Sequence, residues 1–326
     1  MKNNQIMKIL LALCAVVLAA VTLFPAALAE RYASGGAEIG AAVRNLDINW
    51  TSGQVNIAYH NGDTVILSEK TTGVISKDMQ MRWCLDGDTL RVEYEQPGFH
   101  LFSLLPHEKE LTVTLPMGRS LDQVSIQTAS GDLNIPALQA GSVTLKTASG
   151  SIRASVNAGS VKASLVSGDV QLEVLNEAEE ISLKTVSGRI TLDSAGTSGK
   201  TALETTSGGI RATVKAAKEF KAKSTSGDIH AVVGVAGKAE IGSVSGKATV
   251  EMSAMQELDV HTTSGDVTAC LPTAPGFTAR IETTSGNIKH NLPLTQNGKD
   301  YTAGDGSAAV KIHTTSGNVT VNAKEN

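Results

Sequence analysis

From about residue 120 onward, apolar and polar residues alternate in short runs that recur along the chain, each run flanking a Ser-Gly pair. Four residues before the Ser stand Ile126, Leu145, Ala163, Leu183, Leu203, Ala222, Ile241, Val260, Ile281 and Ile312. Six before it stand mainly Val124, Val143, Val161, Ile181, Phe220, Leu258 and Val310. Polar residues such as Lys146, Lys184, Glu204, Lys223, His261, Glu282 and His313 separate the two apolar sets. A period of two predicts a strand with one face inward and one outward. Beyond the Gly, apolar residues return three places past the Ser, at Leu133, Ile152, Val170, Ile190, Ile210, Ile229, Val267, Ile288 and Val319. The inward set has therefore switched from even to odd offsets. A straight strand cannot do this, so the chain bends at Ser-Gly, where glycine supplies backbone freedom.

The predicted structural corners are Ser130-Gly131, Ser149-Gly150, Ser167-Gly168, Ser187-Gly188, Ser207-Gly208, Ser226-Gly227, Ser245-Gly246, Ser264-Gly265, Ser285-Gly286 and Ser316-Gly317, with an outlying copy at Ser52-Gly53. The ten are spaced by 19, 18, 20, 20, 19, 19, 19, 21 and 31 residues. Each unit reads as strand, corner, strand and a connection of about six residues. So short a unit cannot bury its own apolar face, but stacked copies can, each strand pairing with its equivalent one coil away. The predicted fold is all-β: a single-chain β-solenoid (β-helix-like) of about ten coils of 19–20 residues. Thr128, Thr147, Thr185, Thr205, Thr262, Thr283 and Thr314 lie two before each Ser, in phase with the inward set. They are expected to form an internal hydroxyl ladder that satisfies buried polar groups.

Residues 41–120 depart from the period and are expected to form an N-terminal β cap on a solenoid spanning 121–326. Met81, Trp83 and Leu85 alternate up to Asp86-Gly87, and Leu90, Val92 and Tyr94 alternate away from it, which predicts a hairpin. Leu111, Val113 and Leu115 predict a further strand ending at Pro116. Between them, Phe99, Leu101, Phe102, Leu104 and Leu105 read as a plug over the first coil, or as an exposed apolar contact. The long interval before Ser316 is expected to fold its surplus, around residues 291–307, over the C-terminal sheet edge.

Residues 1–29 change where this fold is expected to work. Lys2 and Lys8 precede an apolar run ending in Ala27-Leu28-Ala29, the parts of a secretory signal peptide. The alternative is an uncleaved anchor through residues 9–29 associating with the membrane. Either way the rest is expected to lie outside the cytoplasmic membrane, with residues 30–40 as a spacer. Cys14 lies in this leader, and Leu13 before it is too large for a lipoprotein site. The remaining Cys84 and Cys270 offer neither a disulfide framework nor metal-ligand spacing.

Net charge is −4, with no run of Lys or Arg, which argues against nucleic acid as a partner. Aromatic content of 3% leaves few platforms for stacking on a sugar. Solenoids can cleave polysaccharides, so outward acid pairs matter: Glu173 with Asp193, and Glu240 with Asp259. No Lys, Arg or His cluster is expected to converge on either pair. Ten equivalent Ser without a partnered His read as a building pattern, not as nucleophiles. His261 and His313 share an outward column, with Glu282 expected between them. Asp132, Asp169, Asp228 and Asp266 follow Ser-Gly, yet the glycine-rich nonapeptide of calcium repeats is missing. No phosphate loop or dinucleotide fingerprint is present, so no cofactor is expected.

Thr-Ala-Ser-Gly-Asp-Leu (128–133), Thr-Thr-Ser-Gly-Asp-Val (262–267) and Thr-Thr-Ser-Gly-Asn-Ile (283–288) resemble repeats of the bacterial "putative adhesin" family, whose function is unknown. Leu-Asp-Gly-Asp-Thr-Leu (85–90) and Leu-Thr-Val-Thr-Leu-Pro (111–116) resemble that family's N-terminal part. The resemblance supplies no catalytic residues. The expectation is a non-enzymatic adhesin or binding scaffold for an envelope or surface polymer or protein. Its contacts would use outward columns such as Lys146, Lys184 and Lys223. The alternatives are an envelope structural or signalling component that self-associates, and a polysaccharide-active enzyme.

Overall fold

The computed structural model describes residues 31–40, 42–95 and 109–324. The leader and the apolar segment 99–105 lie outside the described residues. The chain divides into two compact units, residues 1–158 with 163–168 and residues 159–162 with 169–326. The described residues form strands, plus one 3₁₀ turn at Lys77–Met79.

The first unit contains β1 (Ala33–Ser34), β2 (Ala37–Ile39), β3 (Asn45–His60), β4 (Val65–Thr71), β5 (Arg82–Asp86), β6 (Thr89–Glu93), β7 (Lys109–Pro116), β8 (Leu121–Ser149) and part of β9 (Ile152–Ser167). β3 carries Ser52-Gly53 and is a central strand. It pairs in parallel with β8 on one side (Ser52↔Ser130) and with β6 and β7 on the other (Ile48↔Val92, Val55↔Leu111). The predicted hairpin is present: β5 and β6 pair antiparallel through Leu85↔Leu90, and Gly87 has φ +64°. Its facing differs from the alternation in the sequence. Arg82 and Cys84 are the buried residues of β5, whereas Trp83 and Leu85 are half-exposed. A one-residue change of facing turns the whole strand over, and here buried Glu93 opposite Arg82 compensates the inward charge. The expected spacer is also strand, since β1 pairs with β5 and β2 with β4.

The second unit contains the rest of β9, then β10 (Val170–Val174), β11 (Ala178–Ser187), β12 (Ile190–Ser207), β13 (Ile210–Ser226), β14 (Ile229–Ser245), β15 (Ala248–Ser264), β16 (Val267–Leu271), β17 (Gly276–Ser285), β18 (Ile288–His290), β19 (Thr295–Asn297), β20 (Asp300–Gly304), β21 (Ala308–Ser316) and β22 (Val319–Ala323). The six-residue connection is not a loop. β13 and β14 stay paired through it, by Ala216↔Val235, Ala217↔Ala236 and Glu219↔Lys238. Within β13 the buried residues are Ile210, Ala212, Val214, Ala217, Phe220, Ala222 and Ser224. Parity thus shifts twice between Val214 and Phe220, marking two further bends in this turn. Variation in repeat length is absorbed there: β12 carries one extra residue as a bulge between Ser194 and Thr197. Each fully buried Val, Leu or Ile contributes about 1.5–3 kcal/mol, so the inward columns are the main source of stability.

The last coils do not stack in sequence order. β15 pairs with β21 (Ser264↔Ser316), and β21 pairs on its other side with β17 (Ser285↔Ser316). The final repeat therefore lies between two earlier ones, and the Ser285 coil is outermost. The surplus before it covers part of the outer edge, with β20 antiparallel to β17 along Gly276–Arg280 and β19 on β20.

Candidate functional site

The predicted corners have a geometry the sequence suggested only in part. Some of their glycines occupy positive φ, as at Gly150 (+140°) and Gly208 (+155°). Close approach is the more general constraint. A Cβ added to Gly227 would lie 1.9 Å from the Gly208 carbonyl oxygen, one added to Gly246 2.3 Å from that of Gly227, and one added to Gly265 2.1 Å from that of Gly246. Glycine stacks on glycine with no room for a side chain. The same carbonyls accept from the buried hydroxyl column, Thr205 to Gly188 (3.2 Å) and Thr283 to Gly317 (3.0 Å). Ser224 and Ser243 belong to this column, donating to Gly208 and Gly227. The threonine pattern passed over them. Thr128 is the exception, its buried hydroxyl having no partner among the described residues.

The Asp residues that follow Ser-Gly are backbone caps. Asp132, Asp169, Asp228 and Asp266 each accept, through Oδ1, the backbone N–H of the matching residue one coil on, at 2.7–2.8 Å. Asn318 does the same for Asn287 at 3.0 Å. These carboxylates already have a donor, and among the described residues no group of three or more His, Cys, Asp or Glu is placed to hold a metal ion.

Outward columns carry ion pairs from coil to coil. Lys184 lies 3.1 Å from Glu204, and Lys238 3.2 Å from Glu257. Two lysines converge on Glu240, namely Lys223 and, at 3.4 Å, Lys221. This corrects the expectation that no cluster of Lys, Arg or His converges on the Glu240–Asp259 pair, although the two acids are in register as expected. The Lys223 hydrogen bond holds Glu240 below the usual carboxylate range against the opposing effect of burial. Such an acid stays ionised and is a poor proton donor. Glu173 and Asp193 are also in register. His261 and His313 are direct neighbours with Glu282 beyond them, because the last repeat is inserted. The Gly242–His261 contact is close: a Cβ on Gly242 would lie 2.4 Å from His261 Nε2, whereas His313 Nδ1 lies 3.9 Å from Glu282.

Along the bends of the second unit lies an open trough of about 790 Å³. Ala216 and exposed Val235 contribute apolar surface over buried Ala217, and Lys218, Glu219, Lys238 and Glu257 contribute charge. A second hollow of about 450 Å³, with Leu175 and Lys215, shares Thr197 with it.

The first unit holds a buried ionic cluster that charged residues in a strand pattern do not reveal. Lys109 has no exposed side-chain surface. It donates to the carbonyls of Met79 and Tyr94, lies 3.1 Å from Glu69, and sits 4.0 Å from the Tyr94 ring centroid. Trp50 packs edge-on to Tyr94 at 4.9 Å. Beside it, Arg82 pairs with Glu93, and Tyr32 donates to Glu93 at 3.0 Å, with burial pushing the Tyr32 phenol up. The charges in this cluster are matched by partners, which suits a clamp on the first strands.

The Toastrack DUF4097 family model matches residues 43–234 and 157–322. No curated protein matches the chain. Among solved structures, a "putative cell adhesion protein" from Clostridium sporogenes is similar at 13% identity, covering 90% of this chain and 100% of its own, with a TM-score of 0.27. A "putative adhesin" from Bacteroides fragilis is similar at 12% identity, covering 90% and 98%, with a TM-score of 0.30. Another from Parabacteroides distasonis is similar at 12% identity, covering 90% and 97%, with a TM-score of 0.41.

Proposed function

The chain belongs to the Toastrack DUF4097 family, and we propose that it is a non-catalytic binding scaffold, an adhesin exported to the bacterial cell envelope. In this reading about ten coils, capped by residues 41–120, display the binding surface beyond a leader at residues 1–29. The observation that carries it is the trough of the second unit, where Ala216 lies in register with Val235, and Glu219, Lys238 and Glu257 lie in register on three successive coils. A surface repeating about every 4.8 Å suits a long, repetitive partner better than a single small molecule. Lys184 and Lys223 are engaged with acids of the next coil. Exposed pairs of this kind are worth only about 0–1 kcal/mol, so a charged polymer could exchange with them. The test is binding of the purified protein to envelope polymers and host surfaces; no binding to any of them counts against an adhesin.

A second reading, an envelope component that self-associates, has its own support. Ile281–Ser285 and β18 have no strand on their outer side among the described residues, and such an edge is a template for another chain. Light scattering over a concentration series distinguishes the two, since a strict monomer rules out edge pairing. Polysaccharide cleavage is the least supported. Activity lost in Glu173→Ala or Asp193→Ala would revive it.

A further inference from the structure

The geometry points to a binding site for a neutral, polyhydroxylated ligand, a short stretch of sugar chain, in a polar basin on the first unit. The basin has a volume of about 410 Å³, within the range of small-ligand sites, roughly 300–1,000 Å³. The register of β3 with β6 and β8 builds it. Thr89, Asn45 and Gln123 form one row across three strands, and Arg91, Asp47 and Ser125 form the next. Ser142 and Thr144 extend it along β8.

Two features select the ligand. First, the two charges that line the basin, Arg91 and Asp47, balance each other, so it carries no net charge to attract an ion. Arg91 lies 2.8 Å from Asp47 and 3.8 Å from Asp86, while Arg44 lies 2.6 Å from Asp122 and 4.0 Å from Asp88. An anion would meet these carboxylates, and a cation the guanidinium groups. Second, apart from Asn45, whose amide donates to Asp88 at 3.0 Å, the neutral groups are unspent. The side chains of Thr89, Gln123, Ser125, Gln127, Ser142 and Thr144 have no hydrogen-bond partner among the described residues, although most are half-buried. Amides and hydroxyls both donate and accept, as sugar hydroxyls do, so the two sets can satisfy each other in either direction. With no aromatic platform, each hydrogen bond exchanged against water gives a modest return, and binding at one basin is weak.

This inference rests on the binding-scaffold reading and names a site and a ligand class for it. It is tested by titrating the full chain with linear hexasaccharides of glucose, mannose and N-acetylglucosamine, followed by calorimetry or chemical-shift changes. At least one should bind with an affinity insensitive to salt. Gln123→Ala with Gln127→Ala should weaken it about tenfold or more, the loss of two or so hydrogen bonds. Ser125→Trp, which fills the basin, should abolish it while the unfolding midpoint stays near that of the parent. Binding to none of the three overturns the inference, as does binding that these variants leave unchanged or that only charged polymers show. If the protein adsorbs to envelope polymers and the basin variants adsorb equally well, the site is wrong and the scaffold reading survives. If it adsorbs to nothing, the scaffold reading itself falls.

Discussion

Thr262 and Thr314 stand fifty-two residues apart in the chain, yet their buried hydroxyls share a 2.8 Å hydrogen bond. The bond exists because the final repeat lies directly on the Ser264 coil and pushes the Ser285 coil outward. A strand from the end of the chain is thereby paired on both sides, as β3 is in the first unit. The more exposed β19 is a three-residue strand.

The inserted order can be tested by cross-linking. Parallel in-register neighbours have Cα atoms about 4.8 Å apart, within disulfide reach, whereas residues two coils apart exceed its limit of roughly 7 Å. His261→Cys with His313→Cys should oxidise readily to an intramolecular disulfide. His261→Cys with Glu282→Cys should not, although sequential stacking would make it the bridging pair. Free thiols measured by alkylation and mass spectrometry decide between the two orders.

The Asp caps predict a stability effect without a metal effect. Asp228→Ala leaves the Lys247 N–H without its acceptor at 2.8 Å and should cost about 1–2 kcal/mol, while Asp228→Asn should recover most of it. Calcium or a chelator should not move the unfolding midpoint of the parent by scanning calorimetry. A rise in midpoint with calcium would assign these residues a different job.

Acid titration should report the Glu240 cluster. Its folded-state pKa is depressed, chiefly by the Lys223 hydrogen bond. The associated stability is therefore present above the unfolded value, 4.5, and is lost as pH falls through the folded one. Glu240→Gln should cost about 0.5 kcal/mol near neutrality, the difference vanishing in strong acid. Denaturant unfolding at a series of pH values measures this, and a difference that grows toward low pH would contradict it.

In the first unit, Lys109→Met removes a buried cation and leaves Glu69 facing an apolar group. The expected cost is about 3–5 kcal/mol, with substantial recovery in Lys109→Met/Glu69→Gln. Equal instability of the single and double variants would mean that packing matters here and charge pairing does not.

What was legible in the sequence follows from what repetition amplifies. Ile210, Ile229 and Val267 occupy one column, so a weak period-two signal became unambiguous when read many times over. The corner was visible for the same reason, though its glycine suggested backbone freedom before close stacking. The coil order was not legible, because the 21-residue spacing from Ser264 to Ser285 suits sequential stacking. Insertion shows only in pairing. Arg82 and Glu93 read as outward because alternation assigns charges to solvent, and nothing local reveals that they compensate each other. Among candidate sites, the carboxylate neighbours Glu173–Asp193 and Glu240–Asp259 were foreseeable from register. Lys221 of the preceding coil was open to the same register reading, whereas the basin of the first unit needs β6, β3 and β8 brought together from distant parts of the chain.

Ser-Gly is a packing element in which the carbonyl of the neighbouring coil leaves the glycine no room for a side chain. The most direct measurement is the unfolding free energy of Gly227→Ala beside that of Ser226→Ala. A Cβ at Gly227 would lie 1.9 Å from the Gly208 carbonyl oxygen, so the first should lose roughly 3 kcal/mol. Ser226 is exposed, and its replacement should stay within about 0.5 kcal/mol of the parent. A tolerated Gly227→Ala, or a Ser226→Ala as damaging as it, would contradict the account.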